Sequence, residues 1–200
     1  MRVGLYFGSF NPIHTGHLGL ANYLLNNGLT DELWFVVSPH NPLKNEVDLL
    51  DEKERLAMVQ LAVAKQKGLR ASDVEFQLPR PSYTIDTLRC LSKQYSQHSF
   101  SLLIGSDNAL LFNQWKEYKS ILADYEIRVY PREEFCFANI AKEYPQMQLL
   151  EEAPRYNVSS TEIRRLLKKG KNPGKMLTDE VYAYILKNRL YEAYASTKKD

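Results

Sequence analysis

Two histidines three residues apart, His14 and His17, lie in the stretch Gly8-Ser9-Phe10-Asn11-Pro12-Ile13-His14-Thr15-Gly16-His17. Val3, Leu5 and Phe7 before them form an apolar run with strand propensity, and Gly8-Ser9 then turns the chain into a helix opening at the histidine pair. Backbone N–H groups in a first helical turn lack partners inside the helix, and the helix dipole adds partial positive charge. Such a junction can hold an anion, above all a phosphate. Gly8 lets the backbone approach a ligand, and Gly16 leaves room at the helix entrance. A zinc pair is a competing chemistry, but His40 is the nearest third imidazole and no Cys or carboxylate completes a shell at a familiar spacing. For either ring alone, a histidine bonded to backbone is the structural alternative.

A second set lies far along the chain. Asn157-Val158-Ser159-Ser160-Thr161-Glu162-Ile163-Arg164-Arg165 opens a helix that stops at Gly170, with Ser160 and Thr161 in the cap region and Arg164 about one turn on. Capping and anion binding are compatible here, because a helix start is already positive and the arginine adds a planar donor. The segment from Ser38 to Leu50, with Pro39-His40-Asn41-Pro42-Leu43-Lys44, is long for a mere connection. Gly105-Ser106-Asp107 follows an apolar strand with a glycine turn into polar residues.

Alternating strand and helix signals supply a frame for these groups. Leu18, Ala21 and Leu24 or Leu25 line one helical face that ends around Asn27-Gly28, and Leu33 to Val37 is a continuously apolar strand of the kind covered on both faces. Asp51 with Glu54 reads as a capping box for a helix burying Leu56, Val59, Ala62 and Val63 and ending near Gly68. Val74-Glu75-Phe76 reads as a short strand, and Ser82 as the cap of a helix carrying Ile85, Leu88 and Leu91. Strands are expected at Phe100 to Ile104, Glu126 to Tyr130 and Met147 to Leu150. Helical pieces are expected at 109–112, 115–121, 133–144 and 179–188. This alternation predicts one α/β domain over residues 1–200, with a single doubly wound, mostly parallel sheet and C-terminal helices over 158–190 packed on it. Ligands of such sheets collect beyond the strands' carboxyl ends, where 8–17, 38–44 and 104–107 all fall. No Gly-x-Gly-x-x-Gly and no Gly-x-x-x-x-Gly-Lys-Ser/Thr occurs, which disfavours an ordinary dinucleotide-binding dehydrogenase and a P-loop ATPase.

The 200 residues, 44% of them apolar, suffice for a full core, and 26 basic against 24 acidic side chains leave a net charge of +2. That balance makes no case for a polyanionic partner, and the basic and aromatic residues are too dispersed for a nucleic-acid recognition module. No apolar run is long enough for a membrane span and residues 1 to 7 are spent on a strand, so a cytoplasmic protein is expected. Cys90 and Cys136 stand singly and are expected as buried free thiols, while Thr197-Lys198-Lys199 is expected to fray. Monomer and homodimer both stay open.

Phe10-Asn11-Pro12-Ile13-His14-Thr15-Gly16-His17 resembles the signature of the nucleotidyltransferase superfamily carrying a (His/Thr)-x-Gly-His motif, whose members transfer a nucleotidyl group from a nucleoside triphosphate to a phosphorylated acceptor. The helix at Val158 to Arg164 is similar to its Ile-Ser-Ser-Thr-x-Ile-Arg segment. Pro81-Ser82-Tyr83-Thr84-Ile85-Asp86-Thr87-Leu88, together with Leu103-Ile104-Gly105-Ser106-Asp107 and Trp115, resembles the nicotinate mononucleotide adenylyltransferases. The resemblance spans residues 3 to 165. It implies a Rossmann-like nucleotidyltransferase fold, ATP and nicotinate mononucleotide as substrates, and nicotinate adenine dinucleotide and pyrophosphate as products. By the same resemblance His14, His17, Lys44 and Arg164 carry the catalysis. Gly8, Ser9, Phe10, Gly16, Gly105, Asp107, Ser160 and Thr161 hold ATP and its phosphates, the C-terminal helices completing the triphosphate site, and Ser38, Thr84 and Trp115 hold the acceptor. The chain departs from the pattern at Phe7, at Asn11 and in the order of residues before Lys44. Pantetheine-phosphate adenylyltransferases share the first motif but lack the Ser-Tyr-Thr-x-Asp-Thr stretch.

An acceptor phosphate is already largely a dianion at neutral pH, so the chemistry needs alignment behind the α-phosphorus and shielding of charge rather than a general base. The motifs offer no covalent nucleophile. Mg²⁺ is expected to arrive with ATP, without a protein cage.

Overall fold

The computed structural model describes residues 1–39, 49–132 and 137–191. Six strands, β1 (Arg2–Gly8), β2 (Glu32–Val37), β3 (Leu69–Ser72), β4 (Ser99–Gly105), β5 (Glu126–Tyr130) and β6 (Gln148–Leu149), form one sheet in the order β3-β2-β1-β4-β5-β6. All five strand pairings are parallel. The crossovers contain α1 (Thr15–Asn26), α2 (Glu52–Val63), α3 (Thr84–Gln94), α4 (Ser106–Leu110), α5 (Tyr118–Asp124) and α6 (Phe137–Glu143), and α7 (Ser160–Lys168) and α8 (Asp179–Lys187) follow β6. This is the Rossmann-like nucleotidyltransferase fold expected from the sequence, with the sheet parallel throughout.

The period of two along each strand sends alternate residues to opposite faces. Tyr6, Phe35, Val37 and Leu103 pack with Leu18, Ala21 and Leu24 of α1, Met58 and Val59 of α2, and Val181 and Ile185 of α8. Leu5, Trp34, Val36, Leu102, Ile104 and Val129 pack on the other face with Ile85, Leu88 and Leu91 of α3 and with Phe112 and Ile121. Both faces are therefore buried, which is why β2 carries no polar alternation. Gly28 and Gly170 end α1 and α7 with φ of +62° and +65°, left-handed values that glycine adopts without a Cβ penalty.

Several expectations need correction. Val74 to Phe76 is not a strand: Val74–Gln77 is a 3₁₀ turn, and Leu69–Ser72 pairs with β2 in its place. The turn buries the carboxyl group of Glu75, which accepts from the Thr87 hydroxyl at 2.9 Å and the Ser82 hydroxyl at 3.2 Å. Ser82, so engaged, does not cap α3; Tyr83 holds that position with no side-chain cap. Asp51 caps α2 through the Lys53 N–H at 2.8 Å, but no box closes, because Glu54 accepts from the Tyr184 hydroxyl of α8 at 3.0 Å. That helix ends at Val63, five residues before Gly68. Trp115 is extended, and α5 begins only at Tyr118. Cys90 is a free thiol that is half-buried, not buried. Cys136 and the 197–199 tail lie outside the described residues.

Arg55 is the largest departure from an ordinary core. It shares the inner face of α2 with Met58, Val59 and Ala62, and it is fully buried. Its guanidinium donates to the carbonyls of Leu50 (2.9 Å), Ser9 (2.7 Å), Ser38 (2.7 Å) and Pro39 (2.8 Å). The ends of β1 and β2 and the approach to α2 are thus gathered on one side chain. Arg55→Met strips all four carbonyls of their donor, and the expected loss is about 3 kcal/mol or more of unfolding free energy. A urea titration reads it as a lower midpoint at unchanged slope; an unaltered midpoint would show that these loops hold themselves.

Candidate active site

The strand order reverses between β1 and β4, and beyond their carboxyl ends lies a cavity of about 1190 Å³. It gathers every described candidate residue. Gly8, Ser9, Phe10, His14, Gly16 and His17 come from the β1–α1 junction, Ser38 from the end of β2, and Thr84 from the start of α3. Gly105 ends β4 and Asp107 follows it, Trp115 precedes α5, and Ser160, Thr161 and Arg164 lie in the first turns of α7. Lys44 and His40 lie outside the described residues.

The histidines cap their own helix. His14 is the N-cap of α1, and its Nδ1 accepts from the His17 N–H at 3.3 Å, while His17 Nδ1 accepts from the His14 N–H at 3.2 Å. The box is normally built from hydroxyl and carboxylate groups; here two imidazoles form it, stacked with centroids 3.6 Å apart. A ring nitrogen that accepts has no hydrogen, so the neutral ring carries its hydrogen on Nε2. Backbone bonding therefore fixes each ring's tautomer and leaves Nε2–H as its donor. Burial pushes the His14 imidazole down to about 4, with the Arg132 charge adding to the shift, so it is neutral at pH 7. A Cβ on Gly16 would come within 3.1 Å of the His14 ring and of Tyr156, so the space at the helix entrance serves the ring first. A Cβ on Gly8 would meet the Phe10 ring at 2.9 Å. Phe10 itself has φ of +45°, a costly value for a bulky residue, and its ring packs edge-on to Tyr6, His17 and Phe35.

α7 is fastened to the same loop from the far end of the chain. The Ser160 hydroxyl donates to the Pro12 carbonyl at 2.9 Å, and Arg164 Nη1 donates to the Asn11 carbonyl at 2.8 Å. The side-chain cap is Ser159, which accepts from the Glu162 N–H at 3.2 Å. Ser160 and Thr161 are thus the first helical residues, where backbone N–H groups point out of the helix. The buried Tyr191 hydroxyl donates to Asn11 Oδ1 at 2.8 Å.

Sequence reasoning missed Arg132, which lines the cavity just past β5. Its Nη2 donates to the Tyr130 hydroxyl at 3.2 Å, its Nη1 lies 3.5 Å from Asp107 Oδ2, and its N–H donates to Ser106 Oγ at 2.9 Å. Burial opposes its charge, but the Tyr130 hydroxyl and Asp107 carboxylate hold its pKa above the usual guanidinium value. The signal was available: the carboxyl-end rule, applied to β1, β2 and β4, also covers β5. Glu75 was missed as well, read as part of a strand, and burial raises its pKa. Asp107 Oδ1 and Trp115 Nε1 are buried with no hydrogen-bond partner among the described residues. Buried polar atoms are normally paired, so these two are exceptions, and both belong to residues that line the cavity. No three His, Cys, Asp or Glu among the described residues gather to hold a metal ion, and no described helix is long and apolar enough to cross a membrane.

The His14 environment makes a pH prediction. With its folded pKa near 4 against an ordinary 6.5, it is neutral in both states above pH 6.5 and costs nothing there. Below 6.5 the unfolded chain binds the extra proton, so stability falls as pH drops toward 4, by on the order of 3 kcal/mol in total. An NMR titration should show a ring of pKa near 4 that disappears in His14→Gln, and the variant should lose that part of the stability profile. A His14 pKa near 6.5 would rule the arrangement out.

The Cytidylyltransferase-like family model matches residues 5–166. A chain from Flavobacterium johnsoniae, described as a probable nicotinate-nucleotide adenylyltransferase, is 44% identical over 96% of this chain and 100% of its own length. One from Cytophaga hutchinsonii with the same description is 44% identical over 97% and 100%. Among solved structures, Plasmodium falciparum nicotinic acid mononucleotide adenylyltransferase complexed with NaAD has the same fold. Its TM-score is 0.79 at 21% identity, over 95% of this chain and 97% of that one. With identity at this level along essentially the whole of both relatives, and with both ends of the family pattern brought to one cavity, the chain belongs to the nicotinate-nucleotide adenylyltransferase family.

Proposed function

We propose that this chain transfers the adenylyl group of ATP to nicotinate mononucleotide, releasing pyrophosphate and forming nicotinate adenine dinucleotide. The observation that carries the reading is the joining of α7 to the β1–α1 loop: Ser160 on Pro12 and Arg164 on Asn11 place two distant anion-binding helix starts side by side. One cavity then extends from them to Thr84 and Trp115. Residues 1–200 act as one domain, in which the helices of 158–190 complete the triphosphate site.

A phosphate oxygen of the mononucleotide attacks the α-phosphorus of ATP in line; that P–O bond forms as the bond to the bridging oxygen of pyrophosphate breaks. No proton has to move. The Nε2–H groups of His14 and His17 donate to the transferring phosphate, held ready by the backbone bonds on Nδ1. Arg164 and the N–H groups of Ser160 and Thr161 receive the departing phosphates. Mg²⁺ enters as part of the ATP substrate, and Lys44, which lies outside the described residues, is assigned to the same triphosphate by the family resemblance. Gly8, Ser9 and Phe10 shape the floor beneath it, and Ser38 gives its hydroxyl to the acceptor phosphate. Asp107 accepts from the adenosine ribose, with Gly105 beneath the nucleoside and Arg132 flanking it. Thr84 and Trp115 hold the pyridine ring. A cytoplasmic setting fits the free thiol of Cys90.

Pyrophosphate release from ATP, with each mononucleotide offered in turn, tests the function. Nicotinate mononucleotide should be preferred over the nicotinamide form by roughly ten- to a thousandfold in kcat/KM, since the amide leaves donors unmatched; equal values would overturn the acceptor assignment. His17→Ala should lose turnover by about 10²-fold or more. It also opens half of the capping box, which should cost only about 1 kcal/mol of stability. A folded variant with near wild-type turnover would remove His17 from the reaction. Arg164→Lys should impair ATP binding and turnover while sparing acceptor affinity, because an ammonium cannot reproduce the planar fork. Equal losses for both substrates would point instead to a disturbed α7.

A further inference from the structure

The acceptor end of the cavity has two walls, the start of α3 with Tyr83 and Thr84, and the segment Gln114 to Lys116 leading to α5. Two ion pairs join them. Lys116 Nζ donates to Asp86 Oδ2 at 2.9 Å and lies 4.7 Å from the centroid of the Tyr83 ring. Arg89 meets Glu117 through two bonds, at 2.7 and 3.2 Å. The pairs differ in position: Lys116 lines the cavity, whereas Arg89 and Glu117 do not. The bidentate outer pair can therefore hold the walls together by itself, and the inner pair puts an ammonium on a residue that lines the ligand space.

We infer that Lys116 is a specificity-determining residue of the acceptor subsite, its ammonium favouring a mononucleotide whose ring carries a carboxylate over one carrying a neutral amide. The inference rests on the acceptor reading above. Backbone donors alone select by hydrogen-bond pattern; a cation adds selection by charge. The anionic groups nearby offset part of its charge and do so from positions outside the cavity lining or already engaged. Asp86 shares the ammonium but sits outside the cavity lining, Glu117 is engaged with Arg89, and both Glu75 oxygens already accept hydroxyl hydrogens from Ser82 and Thr87. The side chains of Lys116 and Asp86 are about two-fifths exposed, at 41% and 38%. Screening by water therefore keeps the contribution to roughly three- to tenfold in acceptor preference.

The experiment compares kcat/KM for nicotinate and nicotinamide mononucleotide in wild type, Lys116→Met, Lys116→Arg and Arg89→Met. Lys116→Met should shrink the preference three- to tenfold, with the loss falling on the nicotinate form. Lys116→Arg should retain the preference, and Arg89→Met should leave the ratio at the wild-type value. The wild-type ratio should also fall as salt rises, since an exposed charge is screened. A Lys116→Met enzyme that loses both acceptors equally would make Lys116 a wall clasp only, and a wild-type ratio indifferent to salt would likewise overturn the proposal. A wild-type enzyme with equal values for the two acceptors would instead overturn the acceptor reading on which the proposal stands.

Discussion

Parallel strands end in carbonyls that the next strand cannot satisfy, and a ligand site at those ends needs the loops to be firm before anything binds. Arg55 meets that constraint. A guanidinium presents its donors in a rigid plane, so one side chain can receive carbonyls from three directions at once. Those it receives belong to the residues just past β1 and β2 and to the approach to α2. The arginine does at the strand ends what the hydrogen-bond ladder does within the sheet. A lysine has one nitrogen and no plane, and a hydrophobe has nothing to offer these groups.

The firmness obtained there is used one residue further on. Phe10 follows Ser9, whose carbonyl Arg55 holds, and adopts a left-handed backbone that its own side chain disfavours. Its ring is held among Tyr6, His17 and Phe35, so packing energy offsets the strain and sets His17 in place. The histidine pair is thereby pre-arranged, the Nδ1 of each ring taken by a backbone N–H. Preorganised dipoles in a water-poor site stabilise developing charge without rearranging during the reaction.

Most of this was legible in the chain. β1, β2, β4 and β5 announced themselves by apolar runs, and the helix faces of α1 and α3 by their spacing. The site was legible because glycine, histidine, serine and arginine occur in patterns that only a strand-to-helix junction makes sense of. What stayed hidden had physical causes. The short segment at Val74 has strand propensity, but the buried Glu75 carboxyl needs the hydroxyls of Ser82 and Thr87, and a 3₁₀ turn delivers it to them. Arg55 occupies a core position in the 3.6-residue period, yet an arginine there reads as surface until its partners are known. Glu54 looked like the second half of a cap, but Tyr184 from α8, 130 residues away, claims it. Long-range polar pairing leaves no local trace.

The hydroxyl of Tyr191 on Asn11 joins residues 180 positions apart, and Ser160 and Arg164 reach the same loop across nearly as much chain. On the ribosome the turn after β1 is therefore made early and completed late. At ordinary synthesis rates, roughly 9 to 36 s separate the two ends of that bond. Until α7 is made the nascent chain carries the histidines without the helix that accompanies them, and nucleotide meets a finished pocket only after Tyr191 has followed.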